Sequence, residues 1–283
     1  MPALYRGRIA PSPTGYLHIG HAITFWKALE RARQNRGALV LRMEDLDPQR
    51  CRPEFQEAVT EDLSWFELKW DEGPDVGGPH TPYRQGERRS LYLGAWQRLR
   101  DAGLIYPCRC SRKDVQQAAI APHDEDEEAI YPGTCRPKPG DMSATTISEP
   151  GGIHWRFRAP DGEEIQFQDE RLGEQRAIAG KHFGDFVIWR KDDVPAYQLA
   201  VVVDDIAMQI SEVVRGEDLL TSTFRQLLLY RALGANPPNF YHSALIRDES
   251  GKRLAKRHAA LSLRALRESG VTPDEIRQRH RTL

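Results

Sequence analysis

The chain of 283 residues sets 40 Lys and Arg against 41 Asp and Glu, and 40% of it is hydrophobic. That balance excludes a wholly electrostatic nucleic-acid binder but permits a local basic surface, and the apolar share suits one large domain with an insertion, or two modest domains. The longest apolar runs, such as Leu199 to Val203, fall far short of the ~20 residues that cross a bilayer.

No apolar run follows Arg6 and Arg8, so the N-terminus does not read as a signal peptide. A cytoplasmic protein with no membrane partner, and a monomer, is the expectation. Residues 7–11 read as a strand, and Pro11 to Gly15 as a turn. Ala22, Phe25, Trp26, Leu29 and Ala32 recur at helical spacing between His21 and Arg33, and Gly37 closes that helix. Leu39 to Met43 is an apolar strand that ends in Glu44-Asp45. Strand, helix, strand with polar groups at the strand ends suggests an α/β nucleotide-binding unit, where ligands sit beyond the carboxyl ends of parallel strands.

Phe55, Val59, Leu63 and Phe66 mark a second helix; Leu91, Ala95 and Leu99 mark a third, closed by Gly103. Residues 104 to 180 change character, with many Pro and Gly, short strand-like runs at Trp155–Phe157 and Ile165–Phe167, and an acidic run, Asp124 to Glu128, that reads as a solvated loop. This stretch is expected to be an inserted α+β module. After Lys181 the α/β pattern resumes. Strands are expected at Phe186–Trp189, Ile210–Val214 and Tyr241–Ile246, and a helix at Leu219–Leu233 capped by Thr221 or Ser222 and followed by Gly234. A basic loop runs from Lys252 to His258, and Thr272, Pro273 and Glu275 form the start of a short helix with a capping box.

Two clusters carry chemistry. His18 and His21 lie three residues apart where the turn launches a helix, so both rings can face one anion at its N-terminus, and Gly20 leaves room for close approach. Cys108, Cys110 and Cys135 gather within a short stretch, which points to a metal in a reducing compartment, whereas Cys51 reads as a packing residue.

The segment Arg8-Ile-Ala-Pro-Ser-Pro-Thr-Gly-Tyr-Leu-His-Ile-Gly-His21 resembles the HIGH motif of class I aminoacyl-tRNA synthetases in its glutamyl-tRNA synthetase form. Leu41 to Asp47, Tyr83-Arg-Gln, Phe183-Gly-Asp-Phe, Pro195 to Leu199 and Val214 to Leu220 agree with that family in order. The resemblance implies a Rossmann-like class I synthetase catalytic domain, in halves at 1–103 and 181–283, with an inserted α+β zinc-containing subdomain at 104–180. It implies ATP, with Mg²⁺, as the nucleotide and glutamate as the amino acid, joined as an acyl-adenylate. Glutamate has two carboxylates and one ammonium, so its pocket needs cations at both ends and an anion between. Arg8 and Arg215 suit the carboxylates, in either assignment, Glu44 the ammonium, and Tyr197 offers a hydroxyl. The backbone of Arg8, Ile9, Ala10, Pro11 and Ser12, with the Ser12 side chain, would line the same pocket.

His18, Gly20 and His21 would meet the ATP phosphates. The family's KMSKS loop corresponds to Arg253-Leu-Ala-Lys-Arg257, where Lys256 is retained, Arg253 replaces the usual first lysine and Ala255 replaces a serine. Lys256 and Arg253 would therefore touch ATP, with His18, His21 and Lys256 as the catalytic set. Cys108, Cys110, Tyr131 and Cys135 resemble the structural zinc site of a shortened paralogue in this family, with His123 an alternative to Tyr131. Such a paralogue, without an anticodon-binding domain, is implied to activate glutamate without tRNA and to transfer it to queuosine in the anticodon loop of tRNA(Asp). Arg109, Arg112, Lys113, Arg136 and Lys138 are then candidate phosphate contacts. An amino-acid-activating enzyme with a non-tRNA acceptor, and a silent RNA-binding module, are the alternatives.

Overall fold

A computed structural model of the protein describes residues 4–111, 113–115, 130–138, 140–246 and 262–280. Its centre is a set of parallel strands. β1 (Arg6–Ile9) pairs with β2 (Ala38–Leu41), and β8 (Glu212–Gly216) pairs with β9 (Asn239–Ser243), both in parallel. The Ser211 N–H donates to the Arg6 carbonyl at 2.9 Å, which sets β8 against the free edge of β1. The order is therefore β2-β1-β8-β9, and the chain departs in opposite directions from the β1/β8 junction. In an open parallel sheet that junction is where ligands bind.

Strand residues alternate between two cores, as a sheet covered on both faces requires. Leu39, Leu41 and Val214 join the cluster built on helix α1 (Ile19–Gln34) and helix α2 (Pro53–Trp65). Val40, Val213 and Phe240 face the other cluster, formed with α3 (Arg89–Asp101), α4 (Tyr197–Ala207) and α5 (Leu220–Ala232). Helix α4 was not legible in the sequence. Its run from Leu199 to Asp205 is buried throughout, so it has no polar stripe and no 3.6-residue period to read.

The insertion is woven into this frame. β3 (Ile105–Cys108), β4 (His154–Phe157) and β7 (Phe186–Trp189) form an antiparallel sheet, while β5 (Glu164–Asp169) pairs with β6 (Gly173–Ile178) and touches β9 through Asp169 and Phe240. The expected division at residue 180 thus runs through paired strands, since β7 lies beyond it and β4 before it.

Other differences have local causes. The strand expected from Ile210 begins at Glu212, because Gln209 takes a left-handed φ of 53° and the Ile210 N–H caps α4 at the Asp205 carbonyl. Helix α5 is preceded by a 3-10 turn at Glu217–Leu219, and Leu219 precedes it without a side-chain cap. Thr221 and Ser222 lie inside its first turn, and the Ser222 hydroxyl instead accepts from Gln198. β9 ends at Ser243 rather than Ile246, where its partner β8 ends. After α6 (Leu263–Glu268), helix α7 (Pro273–Arg279) opens with the expected capping box of Thr272 and Glu275. Among the described residues no helix is long and apolar enough to cross a membrane.

One buried charge works against this packing. Asp62 of α2 is 1% exposed and neither carboxylate oxygen has a hydrogen-bond partner. Burial, opposed by Arg267 and Arg264, lifts its carboxyl to about 6. The folded chain therefore binds more protons than the unfolded chain between about pH 4 and 6, and its stability falls as the pH rises through that window. Asp62→Asn is expected to stabilise the protein by about 1–3 kcal/mol at pH 7.5 in urea unfolding, and to have no such effect at pH 4.

Candidate active site

The carboxyl ends of β1, β2 and β8 place Arg8, Arg42, Glu44 and Arg215 in one buried cluster, with Tyr197 at the start of α4 beside Arg215. Arg42 is fully buried and anchors the group. Its Nη1 donates to Asp205 at 2.6 Å and its Nη2 to Glu44 at 3.1 Å, with Asp204 3.7 Å from Nε. Asp204 is in turn satisfied by Arg88 at 2.6 Å, Gln85 at 2.7 Å and the Tyr92 hydroxyl at 3.0 Å. The pair Arg42–Glu44 is thus a buried clamp between β2 and α4, not a surface ion pair.

Arg8 is 5% exposed; its Nη1 donates to the Val214 carbonyl at 2.9 Å, and its Nε lies 3.9 Å from Asp205 without a hydrogen bond. Burial pushes Glu44 above the usual carboxylate range, although Arg42 and Arg8 pull it down. Arg215, also 5% exposed, donates to Gln226 at 2.8 Å, to Thr223 at 2.6 Å and to His242 at 3.2 Å, and meets the Tyr197 hydroxyl at 3.5 Å. Tyr197 itself is 37% exposed. The chain Arg8–Ile9–Ala10–Pro11 runs under the site, held by the Arg42 N–H to Ile9 and the Glu44 N–H to Pro11, each 3.0 Å, while Ser12 is exposed at the rim. Cys51 is buried behind Glu44, its Sγ 4.0 Å from that residue's carbonyl.

The histidine pair closes one side. His18 caps α1, its Nδ1 accepting from the Gly20 N–H at 3.1 Å, and His21 Nδ1 accepts from the His18 N–H at 3.3 Å. With both Nδ1 atoms acting as acceptors, each neutral ring carries its proton on Nε2. The rings lie 3.8 Å apart between centroids. A Cβ at Gly20 would sit 3.0 Å from His18 Cε1, so the room this glycine leaves is taken by the His18 ring. Ser262 bridges to the His18 backbone, and Ile246 belongs to the same core as Leu17. Residues flanking the Lys252–His258 stretch therefore pack around the histidine turn. Arg253 and Lys256 themselves lie outside the described residues, as do Arg112, His123 and the acidic run at 124–128.

Far along the chain, Cys108, Cys110 and Cys135 bring their sulfurs within 4.8 Å of one another. The Tyr131 hydroxyl sits among them, 3.4 Å from Cys108 and 3.6 Å from Cys110, and accepts from the Cys135 N–H at 2.7 Å. Arg156 lies over the Tyr131 ring at 3.9 Å and donates to Cys108 at 3.3 Å. Burial raises the Cys135 thiol, but hydrogen bonds from the Arg109 backbone, Tyr131 and the other two cysteines outweigh it and bring it down to about 7. Three thiols and a hydroxyl at this spacing could hold a metal ion. Of the candidate phosphate contacts, Arg109, Lys113 and Lys138 are exposed. Arg136 is not available, because Asp185, Asp161 and the Ala159 carbonyl already engage its guanidinium. Sequence reasoning missed Arg42 as an anchor, and Asp204, Asp205, Thr223, Gln226 and His242 altogether. None stands in a motif quoted above except Arg42, and only the packing of α4, α5 and β9 brings them to the site.

The fold and sequence are shared with known proteins. A family model described as tRNA synthetases class I (E and Q), catalytic domain, matches residues 5–281. The chain belongs to that family, and it is a ligase of the class I synthetase type. It is 50% identical over 96% of its length, and over 84% of the relative's, to glutamyl-Q tRNA(Asp) synthetase of Nitratidesulfovibrio vulgaris, and 48% identical to that of Symbiobacterium thermophilum. A glutamate–tRNA ligase of Sulfurihydrogenibium sp. is 40% identical, but the chain spans only 56% of it. Among solved structures, glutamate-tRNA synthetase from Elizabethkingia anophelis superposes with a TM-score of 0.77 at 31% identity, over 90% of this chain and 53% of that one.

Replacing Arg42 with Leu would leave Glu44, Asp204 and Asp205 crowded together without their shared cation. A loss of about 3–5 kcal/mol is expected in chemical denaturation, far more than the ~0–1 kcal/mol of an exposed pair.

Proposed function

We propose that this ligase activates glutamate with ATP, without RNA, and then transfers the glutamyl group to queuosine in the anticodon loop of tRNA(Asp). The observation that supports the first step is the charge content of one buried cluster: the guanidiniums of Arg8 and Arg215, both within the field of Tyr230, with the Glu44 carboxylate beside Arg8. Glutamate presents the complementary set of carboxylate, ammonium and carboxylate. Charge-assisted pairing at each point would fix its α-carboxylate for attack on the α-phosphorus of ATP, with pyrophosphate leaving. His18 and His21 would direct their Nε2–H groups at the phosphates as charge builds on the reacting phosphorus oxygens, with Lys256 doing the same from its loop. Mg²⁺ would enter with the nucleotide.

The queuosine step rests on the names of two relatives, the glutamyl-Q tRNA(Asp) synthetases above, of whose lengths the chain covers 84% and 83%. In this reading the exposed Arg109, Lys113 and Lys138 meet RNA phosphates. Zinc held by Cys108, Cys110, Tyr131 and Cys135 would be structural, pinning the loops between β3 and β4; a donor set rich in cysteine sulfur suits that ion.

Glutamate-dependent ATP–pyrophosphate exchange in the absence of RNA is the test of activation, and no exchange would defeat it. His18→Ala and Lys256→Ala are each expected to lower exchange roughly a hundredfold or more; parental rates would remove them from the catalytic set. Labelled glutamate is expected to reach tRNA(Asp) only when the tRNA carries queuosine. Equal labelling of unmodified tRNA, or transfer to a non-RNA acceptor alone, would overturn the second step. Metal analysis is expected to find one zinc per chain, with Cys135→Ser losing it and melting at a lower temperature; a metal-free wild-type chain of parental stability would contradict the site.

A further inference from the structure

Arg215 differs from the other buried arginines of the site in its partners. Arg42 and Arg88 each contact a carboxylate at 2.6 Å, and Arg8 has Asp205 at 3.9 Å. Among the described residues, no carboxylate lies within ion-pair distance of Arg215. Its acceptors are the Gln226 amide, the Thr223 hydroxyl and the His242 ring, from buried side chains, with the exposed Tyr197 hydroxyl a longer contact at 3.5 Å.

The His242 ring is held in one state by its surroundings. It is fully buried, and its Nδ1 lies 2.7 Å from Asp169 Oδ2, which also accepts the His242 backbone N–H at 3.1 Å. Asp169 accepts, so Nδ1 carries the proton, and Nε2 is left as the acceptor that Arg215 Nε and Thr223 face at 3.2 and 3.0 Å. A second proton on Nε2 would point at a guanidinium. Gln226 is fixed in the same way: its Nε2 donates to Gln198 at 2.9 Å, whose own amide donates to Ser222 at 3.0 Å, which turns the Gln226 oxygen toward Arg215.

Building on the proposed glutamate activation, we infer that His242, held in one tautomer by Asp169, is a positioning residue that together with Gln226 orients Arg215 while leaving its charge for a substrate carboxylate, and so sets the preference for glutamate over glutamine. An acidic side chain in either place would orient the guanidinium equally well but would cancel the charge the substrate must meet. Burial and Arg215 push the imidazole down to about 4, with Arg171 adding to this and Asp169 opposing it, so the ring stays neutral across the working range of pH.

The test is the glutamate KM in ATP–pyrophosphate exchange, measured beside the ATP KM and the glutamine rate. Gln226→Glu keeps the shape and supplies an internal counter-ion; it is expected to raise the glutamate KM about a hundredfold, leave the ATP KM unchanged and narrow the margin over glutamine. His242→Leu is expected to raise the glutamate KM about tenfold or more, and His242→Gln, a neutral acceptor, to recover most of that. If Gln226→Glu folds and keeps the parental glutamate KM, or if both substrates' KM values rise together, the inference is overturned. If His242→Leu does not fold, Gln226→Glu decides alone. A wild-type chain with no glutamate-dependent exchange would defeat the parent reading instead, and direct titration of glutamate into wild type and Gln226→Glu would then decide this one: equal affinity, or no affinity in either, overturns it.

Discussion

Arg42 is the interaction on which the rest of the site depends. A fully buried guanidinium that touches Asp205 and Glu44 and approaches Asp204 joins β2 to α4 across the sheet's carboxyl edge. Burying such charges is costly by itself, and the arrangement is tolerable only because nearly every lone pair finds a donor. The same requirement fixes geometry. Glu44 cannot swing away without stranding Arg42, and α4 cannot slide without stranding Asp204, on which Arg88, Gln85 and Tyr92 also converge. A pocket whose walls are so constrained is organised before its ligand arrives.

On that frame Arg8 and Arg215 are set up differently. Arg8 shares the field of Asp205, whereas Arg215 is oriented by neutral groups. The histidine pair adds donors at the helix tip, where the first turn of α1 already presents backbone N–H groups. On the proposed reading, the chemistry needs no covalent protein intermediate, only a carboxylate and a phosphorus held in line, with cations and N–H groups where charge develops.

The sequence showed the strand–turn–helix opening, the histidine turn and the cysteine cluster because each is local. Pro, Gly and cap residues act within a few positions of themselves. The α1 and β2 boundaries moved by only one to three residues for that reason. Helix α4 was invisible because its run from Leu199 to Asp205 is buried throughout, and the strand expected at Ile210 was displaced by the left-handed Gln209, a position whose conformation no residue type announces. Motif resemblance brought out Arg8, Glu44, Tyr197 and Arg215. It could not bring out Asp169, Thr223, Gln226 or His242, whose meaning comes from partners 8 to 73 positions away, the longest being Asp169 with His242. Arg136 failed the other way: a cation in a basic stretch looks available until Asp185 and Asp161 are seen to hold it.

The most direct measurement is a crystal structure of the chain soaked with glutamate and a non-hydrolysable ATP analogue. The account predicts one carboxylate on Arg8, the other on Arg215, the ammonium against Glu44, and the nucleotide phosphates beside His18 and His21. Glutamate bound elsewhere, or bound at this cluster with either arginine untouched by a carboxylate, would contradict it.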